Sequence, residues 1–288
     1  MKLVSYNIQF GLGLDGHYDP ARIAANLWGA DVIALQEVTR GFHRNDFADM
    51  PAAFAALFPG YYRRFAAGCD MHLDAGMDER GTLVERRFQF GNMILSRYPI
   101  LASRALLLPR GRTMERMNMQ RVALETVIAA PCGPLRVYSL HLDHVSSDER
   151  IAQIEFLKSR VLHHALEGGA VTGGIEYGIS DPPVPEDYIL LGDFNMLPDS
   201  EEYDALAGRA TPGFGRPLRY DRPVDALARL GGQTPDTHSW ALPTDEGTIT
   251  ALFDYAFVHC NLVSRIAHVF IDTAAEGSDH YPLWLELK

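Results

Sequence analysis

The chain is poor in cysteine. Cys69, Cys132 and Cys260 are three among 288 residues, odd in number and far apart. That excludes a disulfide framework and a cysteine-based zinc motif, and it suits ordinary thiols in a reducing compartment. Long apolar runs are missing too: nothing approaches the roughly 18 consecutive residues of a membrane span. The opening MKLVSYNIQFG lacks the apolar run and cleavage site of a secretory leader, so the cytoplasm is the expected location. Positive charge is scarce, with 26 Lys and Arg against 37 Asp and Glu, a formal charge of -11. A duplex-binding protein turns a basic face to the phosphates, whereas the overall field of this chain repels polyanions. A bound cation reverses that sign locally, so the charge counts against tight nucleic-acid binding but not against phosphate chemistry. The glycines of GLGLDG at 11–16 are not a G-x-G-x-x-G fingerprint after the first strand, which disfavours a dinucleotide-binding fold.

What the chain has is apolar material, 47% of its residues, enough for a large core. Apolar stretches at 3–8, 31–36, 92–95, 102–108, 122–128, 135–142 and 188–191 read as strands, as do 250–258, 262–271 and 282–287. Helical spacing marks 20–28, 52–57 and the stripe Ile151, Ile154, Leu157, Val161 and Leu162, capped by Ser146 or Ser147. Strands outnumber helices and many connections are hairpin-short. The expected fold class is α/β, with two packed, mainly antiparallel sheets flanked by helices in four layers. One domain over 1–288 is expected. Residues 66–87, with mixed charge and little periodicity, read as a surface loop or hairpin near a substrate entrance. Residues 167–187, rich in Gly and Pro, read as a surface insertion.

Polar residues recur at the ends of the apolar runs. Asn7 ends LVSYN, Glu37 ends DVIALQE, His141 lies in VYSLHLD, Asp193 and Asn195 end YILLGDFN, Asp254 lies in ALFDYAFV, and Asp279 and His280 precede YPLWLEL. Each alone has an ordinary explanation as a turn former or a satisfied core group. Burying so many polar groups without partners is costly, and one shared site for metal and substrate accounts for them together.

The ordered series SYNIQ (5–9), ALQEV (34–38), GNMILSR (91–97), SLHLD (139–143), LGDFN (191–195), FDYAFV (253–258) and SDHYPL (278–283) resembles the endonuclease/exonuclease/phosphatase superfamily, the DNase I-like enzymes, over almost the whole chain. The resemblance implies a pair of packed sheets and a phosphate-ester hydrolase using Mg²⁺, with Mn²⁺ as the alternative. It implies Glu37 as the main metal ligand with Asn7 beside it, and Asp193 and Asn195 as the pair that positions the attacking water and the phosphate. His280 with Asp279 matches the last motif, Asp254 the late acid, and His141 the histidine of many phosphodiesterases in the family. Where the family commonly has Arg two residues before the late Asp, this chain has Leu252.

Asp279 and His280 are sequence neighbours, and in extended chain neighbours face opposite ways. Asp254 is therefore the expected partner of the His280 ring, leaving Asp279 to the metal. Asn7, His141 and Asn195 are also expected to touch substrate, together with Arg121, the one of Arg104, Arg110, Arg112, Arg116 and Arg121 that enters a strand. Met114, Met117 and Met119 could edge an apolar lip. The expected activity is hydrolysis of a small-molecule or lipid-linked phosphodiester. The alternative is a DNA-directed endonuclease or exonuclease of the repair type.

Overall fold

A computed structural model describes all 288 residues. The strands are β1 (Lys2–Asn7), β2 (Val32–Arg40), β3 (Tyr62–Met77), β4 (Leu83–Ser96), β5 (Ile100–Leu107), β6 (Val122–Ala130), β7 (Gly133–His141), β8 (Tyr188–Asp193), β9 (Val224–Asp225), β10 (Trp240–Thr244), β11 (Gly247–Ala251), β12 (Asp254–Val258), β13 (Ile266–Ile271) and β14 (Leu283–Leu287). The helices are α1 (Pro20–Ala25), α2 (Met50–Leu57), α3 (Ser147–Leu162), α4 (His164–Glu167), α5 (Glu201–Ala207) and α6 (Ala226–Arg229). One six-stranded sheet has the order β13-β14-β1-β2-β4-β3 and the other β5-β6-β7-β8-β12-β9, with β10-β11 as a separate hairpin. Both large sheets are mixed. Each has a single parallel pair at its centre, β1 with β2 and β7 with β8, and every other pairing is antiparallel.

The sheets face each other through a core built from alternate residues of both. Leu3, Val32, Ala34 and Ile94 of the first meet Leu124, Val137, Ile189 and Leu191 of the second. Two outer cores seat the helices. Ile23, Leu27 and Phe54 pack on the first sheet, and Ile154, Leu157 and Val161 of α3 pack on the second. Ser146 caps α3, accepting from Glu149 N–H at 3.3 Å, and Ser200 caps α5 in the same way at 3.2 Å. A few buried polar side chains stitch sheet to sheet. Asn92 donates to the carbonyls of Val122 (2.7 Å) and Ser139 (3.0 Å), and Gln36 donates to Ser139 Oγ at 3.0 Å. Once satisfied, such groups fix one relative placement of the two layers.

Of the two readings of residues 66–87, loop or hairpin, the structure has the hairpin: β3 and β4 run through them with pairing out to Met77 and Leu83. Its outer half is exposed on both faces, so no burial alternation marks it. Cross-strand pairs hold it instead, Arg86 to Asp74 at 2.6 Å and Arg87 to Asp70 at 2.6 Å. The run at 250–258 is two strands, because the chain leaves the small hairpin at Ala251 and enters the large sheet at Asp254. The first turn of the expected strand at 262–271 is a 3-10 helix, and β13 starts only at Ile266. Residues 167–187 contain no strand and carry one short 3-10 turn, Gly174–Tyr177.

Candidate active site

The two parallel pairs deliver the site. A parallel pair ends with both C-termini on one edge, so polar residues at those ends become neighbours. Asn7 lies opposite Gln36 at the end of the β1–β2 pair, next to Glu37. His141 lies opposite Asp193 at the end of β7–β8. Antiparallel β12 begins there too, placing Asp254 opposite Asp193. Gly192 permits the β7–β8 approach, since any Cβ on it would collide with the Leu140 carbonyl oxygen.

Local backbone then aims the side chains. The pairing of β2 with β4 shifts register between Leu35 and Val38, and Glu37 at that bulge takes φ 59°. Asn195 takes φ 49°. Both are left-handed, a conformation that costs a non-glycine residue energy and persists only where its surroundings impose it. The Asn195 N–H donates to Asp193 Oδ1 at 2.9 Å, and its side-chain amide donates to the Leu142 carbonyl at 3.1 Å.

Asp193 is the hub. Its Oδ2 accepts from Asn7 Nδ2 at 3.0 Å and lies 3.4 Å from His141 Nε2 and 3.6 Å from His280 Nε2. Behind His280, the Nδ1 is 2.7 Å from Asp254 Oδ2, and that same oxygen accepts from Ser239 Oγ at 2.7 Å. Ser239 Oγ also accepts the backbone N–H of Asp254 at 2.9 Å. Asp279 accepts from Trp240 Nε1 at 3.0 Å. Asn7 Nδ2 reaches Glu37 Oε1 (3.3 Å) and His280 Nε2 (3.4 Å), while its oxygen accepts from Gln9 N–H at 3.2 Å. In this orientation Asn7 braces the acids, and an oxygen contact to a cation requires the amide to turn.

These contacts polarise the site. Burial, and then Asp279 beside it, pushes the Glu37 carboxyl up to about 7. Burial raises Asp193 as well, with Asp254 adding to it and His280 opposing. For His280 burial works against the charge, but Asp254 and Asp193 outweigh it and carry the imidazole up to about 10. His141 goes the other way: burial, helped by Arg121 and His280, drives it well below the usual imidazole range and leaves it neutral. One cleft thus holds a charged imidazole and an uncharged one beside a carboxylate of raised basicity.

Arg121 completes it. Buried to 3% exposure, it stands over the Phe90 ring at 5.5 Å and meets His144 Nδ1 at 2.8 Å. Its Nε and Nη1 have no partner. Burial lowers its pKa, and Glu37 and Asp193 oppose that loss from a distance. A buried guanidinium with free N–H groups is an anion receptor in waiting. Two other arginines of the stretch are engaged elsewhere: Arg104 is bound to Glu125 at 2.7 Å and Glu167 at 2.9 Å, and Arg110 to the Asn118 carbonyl at 3.0 Å. Leu252, where Arg was expected, is buried in the outer core beneath β12.

The donor set fits a divalent, oxygen-preferring cation. No Lys or Arg pairs with Glu37, Asp193, Asp254 or Asp279, whose only ionic partners are histidines. Asp279 adds to the burial that raises Glu37, and the cations that oppose it, His280 and Arg121, act from beyond contact. There is no ready-made cage of three or more His, Cys, Asp or Glu, and Mg²⁺, which keeps several waters, does not need one.

A cavity of about 410 Å³ opens over this centre, and Glu37, Arg121, His141, Asp193, Asn195 and His280 are among the residues that line it. His144, Ser239 and Trp240 were not singled out from the sequence. SLHLDH contains His144 and THSW contains the other two, but neither string has a periodic or charged signature that separates it from a turn.

No curated protein sequence matches the chain. Its structural neighbours include a mannosyl-6-phosphatase from Bacteroides thetaiotaomicron (TM-score 0.62, 16% identity, covering 100% of this chain and 99% of that one). An endonuclease/exonuclease/phosphatase from Bacteroides vulgatus superposes with TM-score 0.64 at 16% identity, covering 100% and 98%. TDP2 from D. rerio, in complex with a single-strand DNA product, gives 0.59 at 17%, covering 99% and 97%. At such identities the likeness speaks for the fold alone. Residues 4–280 match the Endonuclease/Exonuclease/phosphatase family, and the chain belongs to that family.

Proposed function

We propose that the protein is a divalent-metal-dependent phosphodiesterase acting on a small-molecule or lipid-linked phosphate ester, in the cytoplasm. The observation that carries the reading is the meeting, in one cleft, of carboxylates that no Lys or Arg contacts and a buried arginine whose Nε and Nη1 have no partner. The first half of that arrangement suits a cation and the second suits a phosphate.

Glu37 and Asp279 would hold Mg²⁺ or Mn²⁺, with Asn7 beside them, and the ion would supply Lewis-acid charge to a phosphoryl oxygen. The protein's own groups divide the remaining work. Arg121 and Asn195 seat the phosphate through N–H donors. Asp193, its basicity raised, takes a proton from the attacking water. His280, kept protonated by Asp254, offers a charged N–H to the oxygen that gains negative charge. His141, neutral, hydrogen-bonds through Nε2 without adding charge.

The test is hydrolysis of bis(p-nitrophenyl) phosphate and a panel of phosphodiesters and phosphomonoesters with Mg²⁺, Mn²⁺ or EDTA. Turnover is expected only with the cation. Glu37→Gln is expected to lower it roughly a hundredfold or more, the scale of losing one preorganised electrostatic group, with the fold intact by circular dichroism. Full activity in EDTA or in Glu37→Gln would remove the metal role assigned here.

A further inference from the structure

Beside the acids and Arg121, the same cavity has a second, apolar lining. It is made by Phe10, Phe42, Phe88 and Phe90 with Met117 and Met119, and starts at Phe90, under the Arg121 guanidinium. The four rings form one continuous surface: Phe90 lies 5.9 Å from the His141 ring, Phe10 6.0 Å from Phe90, Phe42 4.7 Å from Phe10, and Phe88 5.5 Å from Phe42. They come from three separate elements. Phe88 and Phe90 are two apart on β4 and so share a face. Phe42 precedes the 3-10 helix His43–Asn45. Phe10 sits in the turn after β1 with φ 57°, left-handed, and its predecessor Gln9 has φ 42°.

This is not ordinary core. Phe10 and Phe42 are only partly buried, and Met117 is 66% exposed. Apolar surface kept open beside a reactive centre, with backbone strain spent to place one of its rings, marks a binding wall. Beyond the acids and Arg121, the lining offers no Ser, Thr, Gln or Tyr. Its remaining polar groups are His43, Arg44 and His144, together with His141, Asn195 and His280, which the reading above gives to the phosphate. Sugar hydroxyls or the edge of a nucleobase would find few neutral partners there, and leaving them unpaired is costly. An aryl ring or an alkyl chain needs none.

Resting on the hydrolase reading, we infer that this wall selects the substrate's alcohol portion, and that this portion is apolar. The phosphate sits at Arg121, and the organic group lies along Phe90, Phe10 and Phe42 with Met117 and Met119 over it. Phe42, Phe88 and Met117 are then specificity residues that leave the phosphate contacts alone.

The test is binding, so that it does not depend on turnover. Calorimetry with phenylphosphonate, octylphosphonate, methylphosphonate and thymidine monophosphate, with Mg²⁺ present, compares ligands that share an anionic head. Phenyl- or octylphosphonate is expected to bind at least tenfold tighter than methylphosphonate. The preferred one of the two says whether the group is aryl or chain. Phe42→Ala is expected to erase most of that gap without changing methylphosphonate affinity. Met117→Ser, at an exposed position where misfolding is not a concern, is expected to narrow it. Equal affinity for all the phosphonates, no binding, a gap that survives both variants, or tightest binding of thymidine monophosphate would overturn the inference. Discrimination among phosphonates by a protein that hydrolyses no ester would sink the hydrolase reading and leave the apolar wall standing.

Discussion

Single residues in this protein are governed by what they are buried against. Glu125, on β6, is 2% exposed and far from the proposed chemistry, yet it is ionised. Burial alone would raise its pKa. Hydrogen bonds from His164, from Arg104 at 2.7 and 3.0 Å and from Tyr138 at 2.7 Å outweigh that and hold it near 2, against 4.5 for a free Glu. A folded-state pKa below the unfolded one stabilises the fold above the unfolded value, and that stabilisation is lost as pH falls through the folded one. The shift corresponds to about 3 kcal/mol at neutral pH. Glu125→Gln is therefore expected to lower the urea midpoint clearly at pH 7. The deficit should shrink as pH drops from 4.5 toward 2. A deficit that stays constant across that range would show that the charge of Glu125 is not what stabilises. The site residues follow the same rule with the opposite sign: where burial is not answered by a direct Arg or Lys contact, carboxylates such as Glu37 are pushed up instead.

At the scale of elements, the parallel centre of the second sheet is the most sensitive place. Gly192 is opposite Leu140 in the register that also brings His141 to Asp193. Gly192→Ala puts a methyl into the Leu140 carbonyl, and neither strand can retreat because both are buried. Such overpacking costs about 1–3 kcal/mol. The expected outcome is a lower denaturation midpoint together with a disproportionate loss of turnover, since the strands that must part are those carrying His141 and Asp193. Loss of stability with unchanged kcat would mean that the site does not depend on this register. The β3–β4 hairpin illustrates what pattern reading misses. Its outer residues face water on both sides, so they have no apolar alternation to read, and they pair through backbone and ionic contacts alone. The single run at 250–258 hid a change of sheet, because apolar residues continue through Leu252 and Phe253 while the hydrogen-bonding partner switches from β10 to β8.

For the molecule as a whole, charge decides how it meets a polyanion. With a formal charge of -11, the overall field of the protein opposes long-range attraction of nucleic acid, and its buried Arg121 acts only at contact. Hydrolysis of small esters is expected to change less than about twofold between 50 and 200 mM NaCl, whereas a protein that relies on several phosphate contacts loses about 10³–10⁵ in affinity over that range. Binding of short single- or double-stranded DNA that weakens steeply over the same interval would favour the DNA-directed alternative. No helix is long and apolar enough to cross a membrane.

The amino-acid order determined the fold class and the list of polar residues that belong at strand ends, because burial alternation and the cost of isolated buried charge are local consequences of residue type. It also singled out Arg121 among its neighbours and Asp254 over Asp279 as the partner of His280, the latter because neighbours in an extended chain face opposite ways and an acid from another strand does not. Only the tertiary structure decided that Asn7 turns its nitrogen to the acids, that Ser239 and Trp240 hold Asp254 and Asp279, and that four phenylalanines from three elements close into one wall. Those outcomes depend on sheet register and loop placement, and contacts across such sequence distances leave no periodic trace in the chain.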